Sequence, residues 1–439
     1  MSALEQQIPE GYKHTEAGVI PEDWGVEAIA KNMKLINGYG FKPHQWSSQG
    51  LPIIRIQNLN SDDAMFNYFE GIVEDKFHVK KGDILFAWSG SKGSSFGARI
   101  WQGAPAILNQ HIFRVVPNQK ALTTKYSFYV LRKVQEQIEK MAHGFKSSFV
   151  HVKKADLSST PLPIPSKEEQ TAIANALSDV DALLTELENL ITKKQAIKTA
   201  TMQQLLTGKT RLPQFATYTE GAVEGKRKGT KPSELGEIPE DWDVLTLDKL
   251  INSTQLGGNY SNSETESNYP LIKMGNLGRG KIKLNKLEYV TESVSPRDLL
   301  KFGDILFNTR NTLELVGKVA IWKNELPEAY FNSNIMRFSF NEKLVSSNAY
   351  INAAMNTKKF VADLAGIATG TTSVAAIYTR DLLQLKLLIP TKEEQTAIAT
   401  ILSDMDNEIQ TLEQRLTKTR QIKQGMMQQL LTGRTRLPY

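Results

Sequence analysis

Cysteine does not occur among the 439 residues, which excludes disulfides, thiolate metal sites and cysteine nucleophiles. Long apolar runs are missing too. Nothing approaches the roughly 18 consecutive apolar residues of a membrane-spanning helix. The opening MSALEQQIPEGYKH lacks the basic-then-apolar order of a secretory signal, so a cytoplasmic location is the expectation. The six histidines (His14, His44, His78, His111, His143 and His151) show no HExxH or comparable ligand spacing. There is no glycine-rich strand-to-helix fingerprint for a nucleotide. Nor is there an Asn/Asp-Pro-Pro-Tyr/Phe string of the kind amino-methyltransferases carry. Gly208-Lys209-Thr210 looks like the end of a phosphate-binding loop, but the position where that loop needs its first glycine is Gln203. Asp83 and Asp304 sit in matching turns ahead of strands, where an aspartate accepts backbone N–H groups. These absences leave no catalytic residue, no metal site and no cofactor of the chain's own.

What is present is a long repeat. Residues 164–213 read IPSKEEQTAIANALSDVDALLTELENLITKKQAIKTATMQQLLTGKTRLP, and 389–438 read IPTKEEQTAIATILSDMDNEIQTLEQRLTKTRQIKQGMMQQLLTGRTRLP. They align without a gap at an offset of 225, with 31 of 50 positions identical. Both predict a long helix. Glu168 and Glu169 lie in the first turn, where the helix dipole favours acids. Gly208 and Gly433 fit the position after a helix end, with Pro213 and Pro438 close behind. Ile173, Leu177, Val180, Leu184, Leu187 and Ile191 are spaced 4-3-4-3-4, as are Ile398, Leu402, Met405, Ile409, Leu412 and Leu416. That is a heptad seam, which requires a partner helix, most simply the other copy.

The duplication extends beyond the helices. IPEDW recurs at 20–24 and 238–242. PIIRIQNL at 52–59 matches PLIKMGNL at 270–277, and GDILF recurs at 82–86 and 303–307. NQHIFR at 109–114 matches NSNIMR at 332–337. Each module is therefore a mixed α/β domain of about 150 residues followed by a long helix. The strands keep their pattern while the loops diverge, as when a recognition surface varies on a fixed frame. Residues 214–233 are polar, contain EGKRKGTKP and read as a linker. The net charge is +6. The first repeat carries six basic and six acidic residues and the second seven and six. The excess thus lies mostly in the globular parts, which suits a polyanionic partner.

Two variable α/β modules, each closing on P-x-x-EEQ-x-x-I and a heptad helix that ends in MQQLLTG[KR]TRLP, resemble the specificity subunit of a type I restriction-modification enzyme. The resemblance covers essentially the whole chain. It implies an α+β fold with two target-recognition domains, at 1–163 and 234–388. It implies that the helices in 164–213 and 389–439 pair as an antiparallel intramolecular coiled coil, a spacer and docking surface, with the linker at 214–233 between modules. It also implies a non-catalytic DNA-reading subunit with two sets of partners. Two modification subunits would bind S-adenosylmethionine and methylate adenine N6. Two restriction subunits would use ATP and magnesium. Two other classes remain open on the residues alone: a stand-alone DNA-modifying enzyme and a protein-only coiled-coil adaptor.

Sequence reading of duplex DNA needs donors and acceptors on loops that reach base edges. The candidates in the first module are Arg55, Asn58, Ser89, Ser91, Lys92, Ser94, Ser95, Lys146, Ser147 and Ser148. In the second they are Lys273, Asn276, Asn308, Thr309, Arg310, Asn311, Thr371, Thr372 and Ser373. Arg310, between two asparagines, is the most attractive base reader. Gly38-Tyr39-Gly40 and Gly257-Gly258-Asn259-Tyr260 are candidates for close backbone approach to phosphate. Polar positions identical in both helices are the candidates for the partner subunits: Lys167, Glu168, Glu169, Gln170, Gln203, Gln204, Lys392, Glu393, Glu394, Gln395, Gln428 and Gln429.

Overall fold

The computed structural model describes residues 8–61, 63–141 and 149–438. The chain divides into two units, Met1–Glu188 with Gln414–Tyr439, and Asn189–Glu413. This division departs from the sequence order. Each unit takes the first half of one long helix and the second half of the other.

The first unit opens on a hairpin, Tyr12–Thr15 against Gly18–Pro21. Its main sheet is antiparallel and contains β1 (Met33–Asn37), β2 (Ile84–Ala87), β3 (Gly97–Ile100) and β4 (Ile112–Pro117), in the order β3-β2-β4-β1. A second four-stranded sheet holds Leu51–Ile54 between Asn67–Phe69 and Ala106–Leu108. The second unit repeats the plan, with an extra strand on its main sheet. Its main sheet contains β5 (Ile251–Leu256), β6 (Gly280–Lys281), β7 (Ile305–Asn308), β8 (Val319–Ile321) and β9 (Ile335–Phe340), in the order β5-β9-β7-β8-β6. The added edge strand β6 runs parallel to β8. Strands such as ILFA and ILFN are buried at every position, because both faces of the sheet are covered.

The two repeats form helices α1 (Lys167–Leu205) and α2 (Lys392–Leu430). Each is 39 residues, about 58 Å at 1.5 Å per residue. Gly208 and Gly433 terminate them at φ +70° and +68°, a conformation in which glycine carries no steric cost. A Cβ at either would also meet Pro239 or Pro21 at 2.4 Å. The helices run antiparallel within each unit. In the first, Asp181 pairs with Lys423 and Glu188 with Arg420. In the second, Lys194 pairs with Glu408 and Lys198 with Asp406. Glu188–Arg420 is exposed and the other three are partly buried; pairs open to solvent in this way contribute little energy and serve mainly to fix register.

The heptad seam is not helix-to-helix along its whole length. Ile173 and Leu177 pack in the core of the first unit with Trp24, Phe86 and Tyr126. Met427, Leu430 and Leu431 join that same core from the far end of the chain. Ile398 and Leu402, together with Leu205 and Leu206, do the same around Trp242, Phe307 and Tyr350 in the second unit. Leu187, Ile191, Ile409 and Thr419 are the buried positions between these ends.

A polar cluster at each helix start corrects part of the partner assignment. Glu394 is 1% exposed. It accepts hydrogen bonds from Arg211 at 2.7 Å through both oxygens and from the Trp242 indole at 2.9 Å. Arg211 also holds Asp241 at 2.8 Å. In the first unit Glu169 takes Arg436 at 2.5 Å and Trp24 at 3.0 Å, and Arg436 holds Asp23. So the Asp and Trp of IPEDW, the second Glu of EEQ and the Arg of TRLP form one cluster, built twice. Gln170 and Gln395 are 0% exposed and spend both ends of their amides on backbone groups. Glu169, Gln170, Glu394 and Gln395 are therefore internal, and their identity between copies has an internal cause. Lys167, Glu168, Gln203, Gln204, Lys392, Glu393, Gln428 and Gln429 remain exposed.

Candidate nucleic-acid interface

In the second unit, strand register gathers several loops at one end of the main sheet. Asn308 ends β7 opposite Ile335, where β9 begins. Asn308 N–H donates to Lys318 C=O, just ahead of β8. Beyond Asn308 the chain forms a short strand, Arg310–Asn311, paired with Ala375–Ala376, which itself pairs with Thr369–Gly370. Leu313 N–H donates to the Thr372 carbonyl. The two candidate loops 308–311 and 371–373, about sixty residues apart in sequence, are thus one surface. Arg310 is exposed, and its guanidinium has no hydrogen-bond or ion-pair partner among the described residues. Thr371, Thr372 and Ser373 are exposed beside it.

The neighbouring candidates are not free. Asn308 is 0% exposed, and its Oδ1 accepts the Arg310 N–H. The Thr309 hydroxyl donates to Asn334 C=O, and the Asn311 Oδ1 accepts Thr312 N–H at 2.8 Å. Asn308 and Asn311 use their side-chain oxygens, and Thr309 its hydroxyl, within the loop, while the buried Nδ2 of Asn308 has no hydrogen-bond partner among the described residues.

The first unit builds the same feature from different residues. Ser89–Ser91 pairs with Phe149–His151. Lys146, Ser147 and Ser148 lie outside the described residues. Ser89 and Ser95 are buried, and the Ser95 hydroxyl accepts Ser91 N–H at 2.8 Å. Ser94 is exposed, with its carbonyl bound by the Arg99 guanidinium. Lys92 is half-buried on the same loop.

The strand-end candidates are corrected in both units. Asn58 Oδ1 accepts Arg55 N–H at 3.0 Å, and its Nδ2 donates to Ala64 and Met65 carbonyls. Asn276 repeats this with Lys273, Lys283 and Asn285. Both asparagines are turn scaffolds. Lys273 is committed to Glu288 at 2.8 Å and to Asn262. Arg55 stacks 4.8 Å over Trp46 and donates to Asn67, on the wall of a cavity of about 300 Å³. Gly38 and Gly257 serve internal packing, because a Cβ at either would stand 2.1 Å from the Asn109 or Phe331 carbonyl oxygen. Asp83 and Asp304 each accept a backbone N–H at 2.9 Å within their turns, and Asp304 also pairs with Arg337.

Sequence reading passed over two groups at these strand ends. Trp88 is half-exposed, with the His111 ring at 5.2 Å and the His151 ring at 5.0 Å. The confinement of histidine to the first module was the available signal. Near Arg310, Val374 and Tyr378 are 68% and 60% exposed, large apolar surface on an otherwise polar loop. Among the described residues no group of three or more His, Asp or Glu is placed to hold a metal ion, and no helix is long and apolar enough to cross a membrane.

A family model described as type I restriction modification DNA specificity domain matches residues 21–199 and again 239–423, most of the chain. The specificity subunit of the type I restriction enzyme MjaVIII of Methanocaldococcus jannaschii is 28% identical, over 98% of this chain and 96% of that one. The EcoBI specificity subunit of Escherichia coli is 23% identical over 72% of this chain and 65% of its own. Among solved structures, the S subunit of a type I restriction-modification system from M. genitalium aligns with a TM-score of 0.54 at 17% identity, covering 98% of both chains. A chain from a type I restriction-modification assembly aligns with a TM-score of 0.51 at 13% identity, over 94% of this chain. At such identities the structural likeness concerns the fold.

Proposed function

The chain belongs to the type I restriction-modification DNA specificity family, and from that premise we propose how it divides its work. It is a specificity subunit, without catalysis of its own, that directs a restriction-modification complex to a bipartite duplex site. Residues 1–163 read one half-site and 234–388 the other. The helices within 164–213 and 389–439 pair as a coiled-coil spacer and dock the partners, and 214–233 link the modules. Two modification subunits carry S-adenosylmethionine and methylate adenine N6. Two restriction subunits carry ATP and magnesium, and the assembly works in the cytoplasm.

One observation carries the reading of bases: the same strand end in both units bears a divergent loop, and in the second unit that loop presents the free, exposed guanidinium of Arg310. Arginine matches guanine O6 and N7 bidentately in the major groove. The exposed Val374 and Tyr378 beside it suit a thymine methyl or sugar face. For docking, the support is the exposed set left once the buried residues are removed. The first unit presents Lys167, Glu168, Gln428 and Gln429, and the second presents Lys392, Glu393, Gln203 and Gln204. Two like patches suit two copies of one partner. The test is methylome sequencing of a host that expresses this chain with its partners. A two-part motif with a fixed unspecified gap is expected. Methyl transfer by the purified chain alone would overturn the non-catalytic reading.

A further inference from the structure

The edge strand β6 of the second unit has no counterpart among the described residues of the first, and its surroundings are cationic. Gly278 N–H donates to Lys281 C=O at 2.9 Å, and Leu277 bridges Ile282, so Arg279 and Gly280 form the tip of a tight hairpin. Gly280 has φ +80°, as such a turn requires. Gly280 and Lys281 then pair in parallel with Ala320 and Ile321 of β8. In this register Arg279 stands at the same strand end as Lys318, which directly precedes β8. Lys283 follows on the returning arm, its N–H bonded to Asn276 C=O.

These three cations contrast with their neighbours. Lys273 is matched to Glu288 and Arg337 to Asp304. Arg279, Lys283 and Lys318 have no carboxylate partner among the described residues. Burial holds Lys318 below its ordinary value, with Lys283 and then Arg279 adding repulsion. Burial likewise lowers Arg279. Three like charges kept together, two of them partly dehydrated, are unfavourable unless an anion joins them. The adjoining Asn308, whose N–H holds the Lys318 carbonyl, adds a buried Nδ2 without a hydrogen-bond partner among the described residues.

Among the described residues the first unit has no counterpart of these three cations. Where the second reads RGKIK at 279–283, the first reads SDDAM at 61–65. The place of Lys318 opposite Asn308 falls to Gly97 opposite Ala87. The charge is therefore particular to one module and not a requirement of the shared frame.

We propose that Arg279, Lys283 and Lys318 of the second recognition domain form a clamp for backbone phosphates of the duplex. It lies at the strand end that carries Arg310 and presses the DNA onto that loop without reading bases. The inference rests on the proposed DNA-reading function. The experiment uses the full chain assembled with its modification subunits and measures duplex affinity against salt. Each phosphate contact contributes about −0.9 to the slope of log K against log salt. Changing all three residues to glutamine is expected to flatten that slope by about 2 to 3. Affinity should fall alike for the cognate and an unrelated duplex, and the methylated motif should keep its bases. Lys283→Gln alone, at an exposed position that folding does not need, should flatten the slope by about 1. The exchange Arg279→Lys with Lys283→Arg and Lys318→Arg should restore it. An unchanged slope in the folded single variant, or a changed base preference in the triple, overturns the clamp. Failure of the native assembly to bind any duplex would instead overturn the function on which it rests.

Discussion

Glu169 and Glu394 show how much one residue can decide. Each is 1% exposed, and the interior tolerates its carboxyl group because one arginine and one indole donate to it. Removing the arginine strands a buried charge, which costs about 3–5 kcal/mol. Arg211→Met should therefore destabilise the second unit by that order, and Arg211→Met with Glu394→Gln by clearly less than the two singles added, in a denaturant double-mutant cycle. Additivity would show that the pair is not coupled. Lys133 offers a pH test in the first unit. Burial, then the charge of Arg434, brings its pKa down from 10.5 to about 8, while it donates to the Leu431 carbonyl. The unfolded chain then holds that proton more tightly, so this contribution to stability rises with pH between about 8 and 10.5. The stability advantage of Lys133→Met should be largest below pH 8 and shrink as pH climbs to 10.5. An advantage independent of pH would contradict the assignment. At the interface, Arg310→Ala should weaken cognate binding by about 1–3 kcal/mol and relax one base position of one half-site only. Relaxation in both half-sites, read by methylome sequencing, would remove Arg310 from that role.

At the scale of elements, the heptad pattern announced two long helices, and the positions of Gly208 and Gly433 marked their ends. The same pattern could not announce that Ile173, Leu177, Ile398 and Leu402 turn toward α/β cores, because an apolar stripe does not name the surface that covers it. The middle of α1 and α2 is where a spacer function belongs. Two heptads added within Leu177–Ile191, matched in α2, should lengthen the unspecified gap of the methylated motif or disable the complex. The bases of both half-sites should stay the same. A changed half-site would remove the spacer role.

At the scale of the whole molecule, the last residues of the chain complete the first unit. Arg436 reaches Asp23 and Glu169, and Tyr12 donates to Gly433 C=O. Deleting 434–439 should speed hydrogen exchange around Trp24 and Tyr126 while leaving Trp242 and Tyr350 protected, since their clamp uses Arg211. Equal loosening of both units would show that the tail acts otherwise.

Repetition in the sequence by itself determined the duplication, the long helices, the loops that vary and the family resemblance, because periodicity and identity survive without coordinates. The asparagines on either side, in a loop that does not repeat, made Arg310 the most attractive candidate. Only the tertiary structure decided which halves of the repeats share a core, and that Glu169 and Gln170 face inward rather than toward partners. It also placed loops 308–311 and 371–373 on one surface. Those facts depend on contacts between segments far apart in sequence, and identical residues look the same whether a buried clamp or a docking face preserves them. The helix that opened as a seam for one partner proves to divide its apolar stripe between the other copy and two separate cores.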